Sequence, residues 1–384
     1  MYHNYFENPL NVYKIINFIS LKRTLIFLAL SNISFILYGQ IIDHNCTVLQ
    51  NISTYYVDLA KSSLHIAYEH TSHGSQLIDG MTGLYNWKGN KYAFNNGGSG
   101  GALDISDYAI TGGSDLGNPN FTSWATSTRN YLNNPANNDV NVIIWSWCGE
   151  LSYASVIDVN TYLNLMSSLE TDYPNIKFVY MTGHLDGTGV NGNLNLCNEQ
   201  IRNYCRVNNK ILYDFADIES YDPDNNYFLN KAANDNCDYD SDANGSLDRN
   251  WASDWQNTHT QDVDWYNCSA AHSQPLNGNR KAYAAWWLWA RLAGWDGGIT
   301  RIPITGEKTG SLKIIINTDE LKILLDDNFI SWKAGLYNLQ GSLILSKLVE
   351  SDAIIFDVSS LHSGIYIVVL SKGENTRVAK AIKL

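Results

Sequence analysis

The sequence predicts a doubly wound α/β domain followed by a small all-β module. Four apolar runs between residues 60 and 220 support the first domain: "SLHIAYEHTS", "VNVIIWSWC", "IKFVYMTGH" and "KILYDFADI". They are short, rich in β-branched or aromatic residues and apolar on both faces, as buried parallel strands are. Helical periodicity fills the gaps, as from Val156 to Leu169 and from Leu194 to Val207. Strands that alternate with helices are typical of a mostly parallel sheet covered on both faces.

Polar clusters follow the four predicted strands. They read "HTSHG", "CGE", "GHLDG" and "DIESYD". Open α/β sheets bind ligands in the crevice beyond the carboxyl ends of their strands. We therefore expect the functional site among these clusters.

The N-terminal 39 residues have the pattern of a secretory signal with an extended start. Lys22 and Arg23 precede the apolar stretch "TLIFLALSNISFILYG", and cleavage is expected near Gly39. The alternative, a single membrane anchor, is disfavoured by the short length and by the interior "SN". No later segment approaches the roughly 20 apolar residues of a membrane helix, so the mature chain is expected to have no membrane span.

Charge and cysteine content narrow the partners and the compartment. Lys plus Arg number 26 against 38 Asp plus Glu, a net charge of −12, which argues against a nucleic-acid partner. In an exported chain, six cysteines predict up to three disulfides with 15 possible connectivities. Cys197 and Cys205 are near enough in sequence to pair locally, unless they share one helix.

An acidic loop suggests a structural calcium ion as the cofactor. The segment "DYDSDANGSLD" alternates oxygen-bearing side chains around Gly245, and such ligands suit Ca²⁺. Trp251 stands where a bidentate Glu would close the site, and a solvated acidic loop is the alternative. The predicted ligands are Asp238, Asp240, Asp242, Asn244 and Asp248.

The C-terminal module, predicted over residues 306–384, alternates apolar and polar residues with hairpin signals. Its segments "LYNLQGSLIL", "FDVSSLHSGIYIVVL" and "AKAIKL" resemble the C-terminal sorting domain of the type IX secretion system of Bacteroidetes. The resemblance implies a secreted or cell-surface protein that interacts with that secretion machinery.

In the catalytic domain predicted over residues 40–305, a Ser follows the first strand, a Gly-rich block "NNGGSGG" comes next, and "CSAAHSQPLN" places a His before the last helix. Over roughly residues 60–295, this arrangement of blocks resembles the SGNH (GDSL-like) hydrolases. The resemblance implies a flavodoxin-like, three-layer fold. Two blocks depart from the family: Ser269 replaces an Asp, and "WSWCGE" lacks the Asn donor.

The resemblance implies a serine mechanism. Ser72 would be the nucleophile and His272 the general base, oriented by Asp262, Asp264 or a backbone carbonyl. Alternatively, Ser72 caps a helix and His272 only begins one. The predicted oxyanion donors are the backbone N–H groups of Ser72, Gly98, Gly100 and Cys148.

Further polar and aromatic residues are predicted to contact the substrate. Crevice histidines either hydrogen-bond or, in a sharper alternative, bind Zn²⁺. Twelve Trp and 24 Tyr favour a carbohydrate, since sugar rings stack on flat aromatic faces. The predicted substrate-binding residues are His70, His73, Glu150, His184, Asp186 and Trp147.

The sequence as a whole predicts a secreted hydrolase that acts on a polysaccharide or on its ester substituents. A polysaccharide lyase or glycosidase would use His, Tyr or the carboxylates Glu150 and Asp186 of the same crevice. A glycan-binding surface protein without catalysis is the third possibility, although clustered Ser and His at several strand ends exceed what binding requires.

Overall fold

A computed structural model describes residues 40–297 and most of 312–383, except 317–318, 326–328, 339–341, 352, 362–363 and 374. The predicted signal peptide and residues 306–311 lie outside the described residues. The chain divides into two compact units between Trp295 and Asp296, and each is described by itself.

The first unit contains a seven-stranded sheet in which every pair of neighbours is parallel. The strand order is β1-β7-β6-β5-β2-β4-β3. The predicted α/β class with a mostly parallel sheet is confirmed. The strands are β1 (Ile41–Ile42), β2 (His65–Glu69), β3 (Phe94–Asn95), β4 (Leu103–Asp107), β5 (Val142–Trp145), β6 (Lys177–Met181) and β7 (Ile211–Tyr213).

Eight α-helices lie in the described part of this unit, in two groups. Helices α1, α2 and α8 pack together, as do α3, α4 and α5. Because crossovers between parallel strands are right-handed, the two groups cover opposite faces of the sheet. The helices are α1 (Thr54–Ser63), α2 (Ser75–Lys88), α3 (Ser123–Leu132), α4 (Val156–Asp172), α5 (Asn193–Val207), α6 (Phe215–Glu219), α7 (Trp251–Thr258) and α8 (Pro275–Leu292).

The strand order reverses at β2, which fixes the position of the crevice. From β2 the chain goes to β3 and β4 on one side, and from β5 it moves outward on the other side through β6 to β7. Loops that leave β2 and β5 in opposite directions open a gap beyond their carboxyl ends. The polar clusters after these two strands lie at that gap.

Burial on both faces explains why the predicted strands were recognisable. All four residues of β5 are buried, and the Trp145 indole donates to the Thr128 hydroxyl at 2.9 Å. Helix α8 is buried on nearly every side. At Gly80 of α2 a Cβ would lie 2.0 Å from the Gly278 carbonyl oxygen, so glycine sets the close approach of α2 and α8.

A long irregular segment joins α6 to α7 and contains a short antiparallel pair, β8 (Asp238–Tyr239) and β9 (Arg249–Asn250). Its apolar residues, among them Phe228 and Tyr239, form a small separate core with Leu185, Trp251 and Leu276 of neighbouring elements. This packing holds the segment in place despite its lack of periodicity.

The second unit consists of two antiparallel sheets. One has the order β10-β11-β14 and the other β13-β12-β15-β16. Leu321, Phe356, Leu336 and Val368 belong to its core, as alternation in the sequence predicts. The strands are β10 (Leu312–Ile316), β11 (Glu320–Leu325), β12 (Lys333–Tyr337), β13 (Leu343–Leu348), β14 (Ala353–Asp357), β15 (Gly364–Lys372) and β16 (Asn375–Lys383).

The predicted disulfides are wrong for this structure, because all six cysteines are free thiols. Cys197 and Cys205 both lie on α5, and eight residues of helix separate them by about 12 Å, too far for a disulfide. No helix in the part of the chain that the structure describes combines the length and apolarity of a membrane span.

Candidate active site

The site is built from the segments that follow β2, β5 and β6. His73 lies in a single 3₁₀ turn, Ser72–Gly74, directly after β2. A Cβ at Gly74 would lie 2.4 Å from the Ser146 hydroxyl, so the turn fits against the end of β5 only with glycine. This close approach brings His73 to Cys148.

A thiol, an imidazole and a carboxylate form a continuous chain at this point. Cys148 Sγ lies 3.5 Å from His73 Nδ1, and His73 Nε2 lies 2.8 Å from Asp235 Oδ2. The His73 side chain is 10% exposed and that of Asp235 26%, while Cys148 is half-buried. The order is that of nucleophile, general base and orienting acid.

Electrostatics favour an ion pair between the Cys148 thiolate and the His73 imidazolium. The hydrogen bond with His73 lowers the pKa of the Cys148 thiol, and Thr71 contributes in the same direction against burial. Burial alone would lower the pKa of His73, but its bonds to Asp235 and Cys148 raise it to about 9. Burial would raise the pKa of Asp235, and the His73 hydrogen bond brings it below its usual value. A thiolate is the reactive form of cysteine.

His184, after β6, stacks on His73 with the ring centroids 3.5 Å apart and the planes 8° from parallel. Its Nδ1 lies 2.8 Å from the Leu185 carbonyl oxygen, and its Nε2 has no hydrogen-bond partner among the described residues. Burial lowers the pKa of His184, and repulsion by His73 adds to this effect. The ring is therefore neutral at neutral pH.

A buried ion pair supports His184 from beneath. Glu219 accepts a hydrogen bond from the Leu185 N–H, and Lys281 Nζ lies 2.8 Å from Glu219 Oε2. Both charged side chains are fully buried. The backbone that carries His184 is thus fixed through Leu185.

Two carboxyl groups lie on the other side of Cys148. Glu150 Oε2 accepts from the Cys148 N–H at 3.0 Å, and Thr71 donates its hydroxyl to Asp115 Oδ2 at 2.7 Å. Burial raises the pKa of Glu150, as does the neighbouring charge of Asp115. Glu150 can therefore hold or release a proton close to the thiol.

Ser72 and His272, the predicted nucleophile and base, are both exposed. Among the hydrogen bonds of the described residues, none involves the Ser72 hydroxyl, and the His272 ring instead stacks on His73 at 4.6 Å. The carboxylate of Asp264 accepts from the Thr260 N–H. Within the described residues, no hydrogen bond joins Ser72 to His272. The serine mechanism stays a prediction.

The oxyanion donors predicted in the Gly-rich block stay a prediction that the position of the block does not favour. Gly98 and Gly100 precede β4, and a Cβ on Gly98 would meet Asp104 near the start of that strand. The start of a parallel strand lies at the opposite edge of the sheet from the carboxyl ends. The Cys148 N–H is also occupied, because it donates to Glu150.

Some of the predicted substrate-binding residues lie at the thiol and others do not. His73 and Glu150 contact Cys148, and His184 stacks on His73. His70 is 1% exposed and binds Asp107, whereas Asp186 accepts from the Ser152 hydroxyl.

The aromatic residues expected to stack on sugars are partly core. Trp147 is 2% exposed and donates its indole N–H to the Met181 carbonyl, so its predicted sugar contact is wrong. Tyr68, Trp145 and Trp251 are also buried. Two tyrosines near the site are exposed, Tyr153 at 74% and Tyr108 at 58%.

A cavity of about 400 Å³ adjoins the site through Thr71. Glu69, His70 and Tyr108 also line it. Burial raises the pKa of Glu69 to about 7. The cavity is large enough for a sugar ring or an acyl group.

The predicted calcium loop forms an exposed turn stabilised by its own acids. Asp240 accepts from the Gly245 N–H at 2.7 Å, and Asp248 accepts from Ser241 at 2.9 Å. Asp238 instead faces Asn250 across the β8–β9 pair. Calcium binding there stays a prediction.

Three groups of side chains in the described residues place three metal-binding atoms within 4.8 Å of one another. One of them lies in the candidate site. The groups are His73 with His184 and Asp235, Asp43 with His44 and Asp217, and His65 with Asp104 and Asp139.

Asp235 was missed by sequence reasoning. It comes from the irregular segment between α6 and α7, where Asp and Asn are frequent and nothing local singles out one of them. For Cys148, the sequence analysis predicts a role of the backbone N–H alone. The signal for its side chain is that Cys148 follows β5 at the same edge of the sheet where His73 follows β2.

Comparison with known proteins bears on the C-terminal unit. Residues 317–384 match the family described as the secretion system C-terminal sorting domain. The protein is accordingly secreted or on the cell surface, as the sequence predicts. Comparison with curated proteins finds no match.

The solved structures that match are only distantly similar. An engineered protein has 10% identity and a TM-score of 0.23, with 82% of this chain and 60% of that chain covered. The endo-β-1,4-mannanase from Thermotoga petrophila has 7% identity and a TM-score of 0.21, with 83% and 64% covered. An FMN-binding β-glucuronidase from Facaelibacterium prausnitzii L2-6 has 9% identity and a TM-score of 0.20, with 83% and 46% covered. The chain thus spans less than two thirds of these proteins, and such TM-scores carry no argument about function.

Proposed function

We propose that the protein is a secreted hydrolase of ester substituents on polysaccharides, with an SGNH-like sheet and a cysteine as the nucleophile. The observation that supports this reaction is the chain from Cys148 through His73 to Asp235, with separations of 3.5 and 2.8 Å. Its place beyond β2 and β5 is where open α/β sheets hold their active sites.

The reaction divides into two transfers at one sulfur. The Cys148 thiolate attacks the ester carbonyl carbon, so that a C–S bond forms and the carbonyl π electrons move to oxygen. When the intermediate collapses, the C–O bond breaks and the alcohol leaves with the proton of the His73 imidazolium. His73 then takes a proton from water, which attacks the thioester, and the acid and the thiol are released.

Asp235 holds the His73 ring in the tautomer that faces sulfur with Nδ1. A carboxylate in this position also stabilises the imidazolium that forms during attack. Thr71, near the sulfur, and the adjoining cavity provide room for the sugar or the acyl group.

The test compares the two candidate nucleophiles on acetylated polysaccharide and on a small aryl acetate. Cys148→Ala is expected to lose at least about 10³-fold in kcat/KM. Cys268→Ala, which removes a thiol without a histidine contact, is the matched control and stays active. A Cys148→Ala variant with full activity rules out the thiol mechanism, and loss in Ser72→Ala alone would establish the serine mechanism in its place.

A glycosidase is the second candidate, favoured by the paired acids Glu150 and Asp115. Burial and mutual repulsion raise the pKa of Glu150, as an acid catalyst of glycoside cleavage requires. New reducing ends released from a deacetylated polysaccharide, and lost in Glu150→Gln, would select this candidate over an esterase.

A further inference from the structure

We propose that His73, His184 and Asp235 form a binding site for Zn²⁺ or a similar divalent transition metal, and that occupation of this site switches the thiol centre off. The first part stands on geometry alone. The second part rests on the proposed function, because it requires His73 to be the base.

The three side chains already approach the spacing of a zinc site. Their ligand atoms lie within 4.8 Å of one another, and His73 Nε2 and Asp235 Oδ2 are 2.8 Å apart. A tetrahedral ion with bonds of about 2.0–2.1 Å separates its ligand atoms by about 3.4 Å. The spacing therefore suits the site. Because the His73 and His184 rings stack nearly parallel, the His73 ring must also rotate about its Cβ–Cγ bond to direct both lone pairs at one ion.

His184 supplies the observation that points to a cation. Its Nδ1 lies 2.8 Å from the Leu185 carbonyl oxygen, which can only accept, so the ring proton is on Nδ1. Nε2 then carries a lone pair, and it is buried without a partner among the described residues. His184 itself is 7% exposed. A metal ion bound at Nε2 would satisfy that lone pair.

The surroundings of His184 match those of metal-binding histidines. Such rings commonly donate their other N–H to a backbone carbonyl, which fixes the ring orientation. Leu185 provides this carbonyl, and its own N–H is held by Glu219. The ligand is thus pre-positioned.

The donor set selects the class of ion. Two imidazole nitrogens and one carboxylate oxygen suit Zn²⁺, whereas Ca²⁺ and Mg²⁺ prefer all-oxygen sites. The side chain of Asp235 is 26% exposed, so a water molecule can reach the fourth position.

Metal binding and thiol activation exclude each other at His73. When Nε2 binds the ion, the remaining ring proton lies on Nδ1, which faces Cys148 Sγ at 3.5 Å. This nitrogen then carries a proton and cannot accept one from the thiol. The metal therefore removes the base while the thiol itself stays in place.

Equilibrium dialysis of the full mature chain against Zn²⁺, at fixed pH, tests the site. Wild type is expected to bind one equivalent more than His184→Gln and than Asp235→Asn. His259→Gln is the matched control, since His259 stacks on Trp255 outside the three groups, and it should bind as wild type does. Circular dichroism checks that each variant is folded, and tetrahedral Co²⁺ absorption that vanishes in both ligand variants supports the assignment. Equal stoichiometry in wild type and both folded variants would overturn it.

Inhibition of aryl acetate turnover tests the switch separately. Zn²⁺ should inhibit wild type, and the concentration for half-inhibition should rise at least about tenfold in His184→Gln. Turnover that needs Zn²⁺, or that persists with the site filled, would contradict the switch. Cys148→Ala should keep the zinc stoichiometry, so a failure of the thiol mechanism is distinguishable from a failure of the metal site.

Discussion

The buried ion pair beneath His184 allows a quantitative prediction. Lys281 Nζ and Glu219 Oε2 are 2.8 Å apart, and both side chains are fully buried. Lys281→Met keeps the length of the side chain but leaves the Glu219 carboxylate in the core without its counter-ion. Loss of one partner of a buried pair costs about 3–5 kcal/mol. Because Glu219 keeps its bonds with Leu185 and Asn277, we expect a loss near 3 kcal/mol.

Urea unfolding at pH 7, followed by tryptophan fluorescence, measures this change. The double variant Lys281→Met with Glu219→Gln removes both charges, and we expect it to unfold within about 1 kcal/mol of wild type. A single variant that loses less than about 1 kcal/mol would refute the reasoning. A double variant as unstable as the single one would show that packing, and not charge, is responsible.

Three further perturbations follow from the structure. Burial raises the pKa of Glu69 to about 7 from an ordinary value of 4.5. Between these values the native state binds more protons than the unfolded state, so stability falls by about 3 kcal/mol as pH rises through that window. Thermal melts at pH 4.5 and 8 should lose this dependence in Glu69→Gln, and an unchanged profile would contradict the prediction. Iodoacetamide at pH 7 should alkylate Cys148 at least about tenfold faster than Cys268, because His73 lowers the pKa of Cys148 whereas burial raises that of Cys268 to about 12. Peptide mass spectrometry gives both rates, and equal rates would count against the ion pair of Cys148 and His73. Gly80→Ala places a Cβ 2.0 Å from the Gly278 carbonyl oxygen and should lower the free energy of unfolding by more than about 1 kcal/mol, which chemical denaturation measures; a neutral result would mean that α2 and α8 can separate without cost.

The sheet was predictable because burial on both faces leaves a continuous apolar run such as Val142 to Trp145. The strand ends, and with them His73 and His184, follow from those runs. The individual contacts did not follow, because they depend on long-range packing. Asp235 reaches His73 from 162 residues away, through a segment held by its own small core. Nothing in the sequence around Asp235 indicates its contact with His73.

The tryptophans show that residue type alone does not predict whether a side chain is exposed. Their number suggested a sugar-binding surface, yet Trp145 and Trp147 fill the core beside β5. Side-chain type alone cannot separate a stacking platform from an interior residue, since large aromatic groups stabilise both.

Six free thiols in an exported protein have a consequence for its maturation. Oxidation begins from thiolates, and burial raises the pKa of Cys46, Cys197, Cys205, Cys237 and Cys268. Once the chain is folded, these five are protected, whereas in an unfolded chain they can pair at random. Correct maturation therefore requires that the chain fold before its thiols oxidise. The folded protein should tolerate reductants without loss of stability.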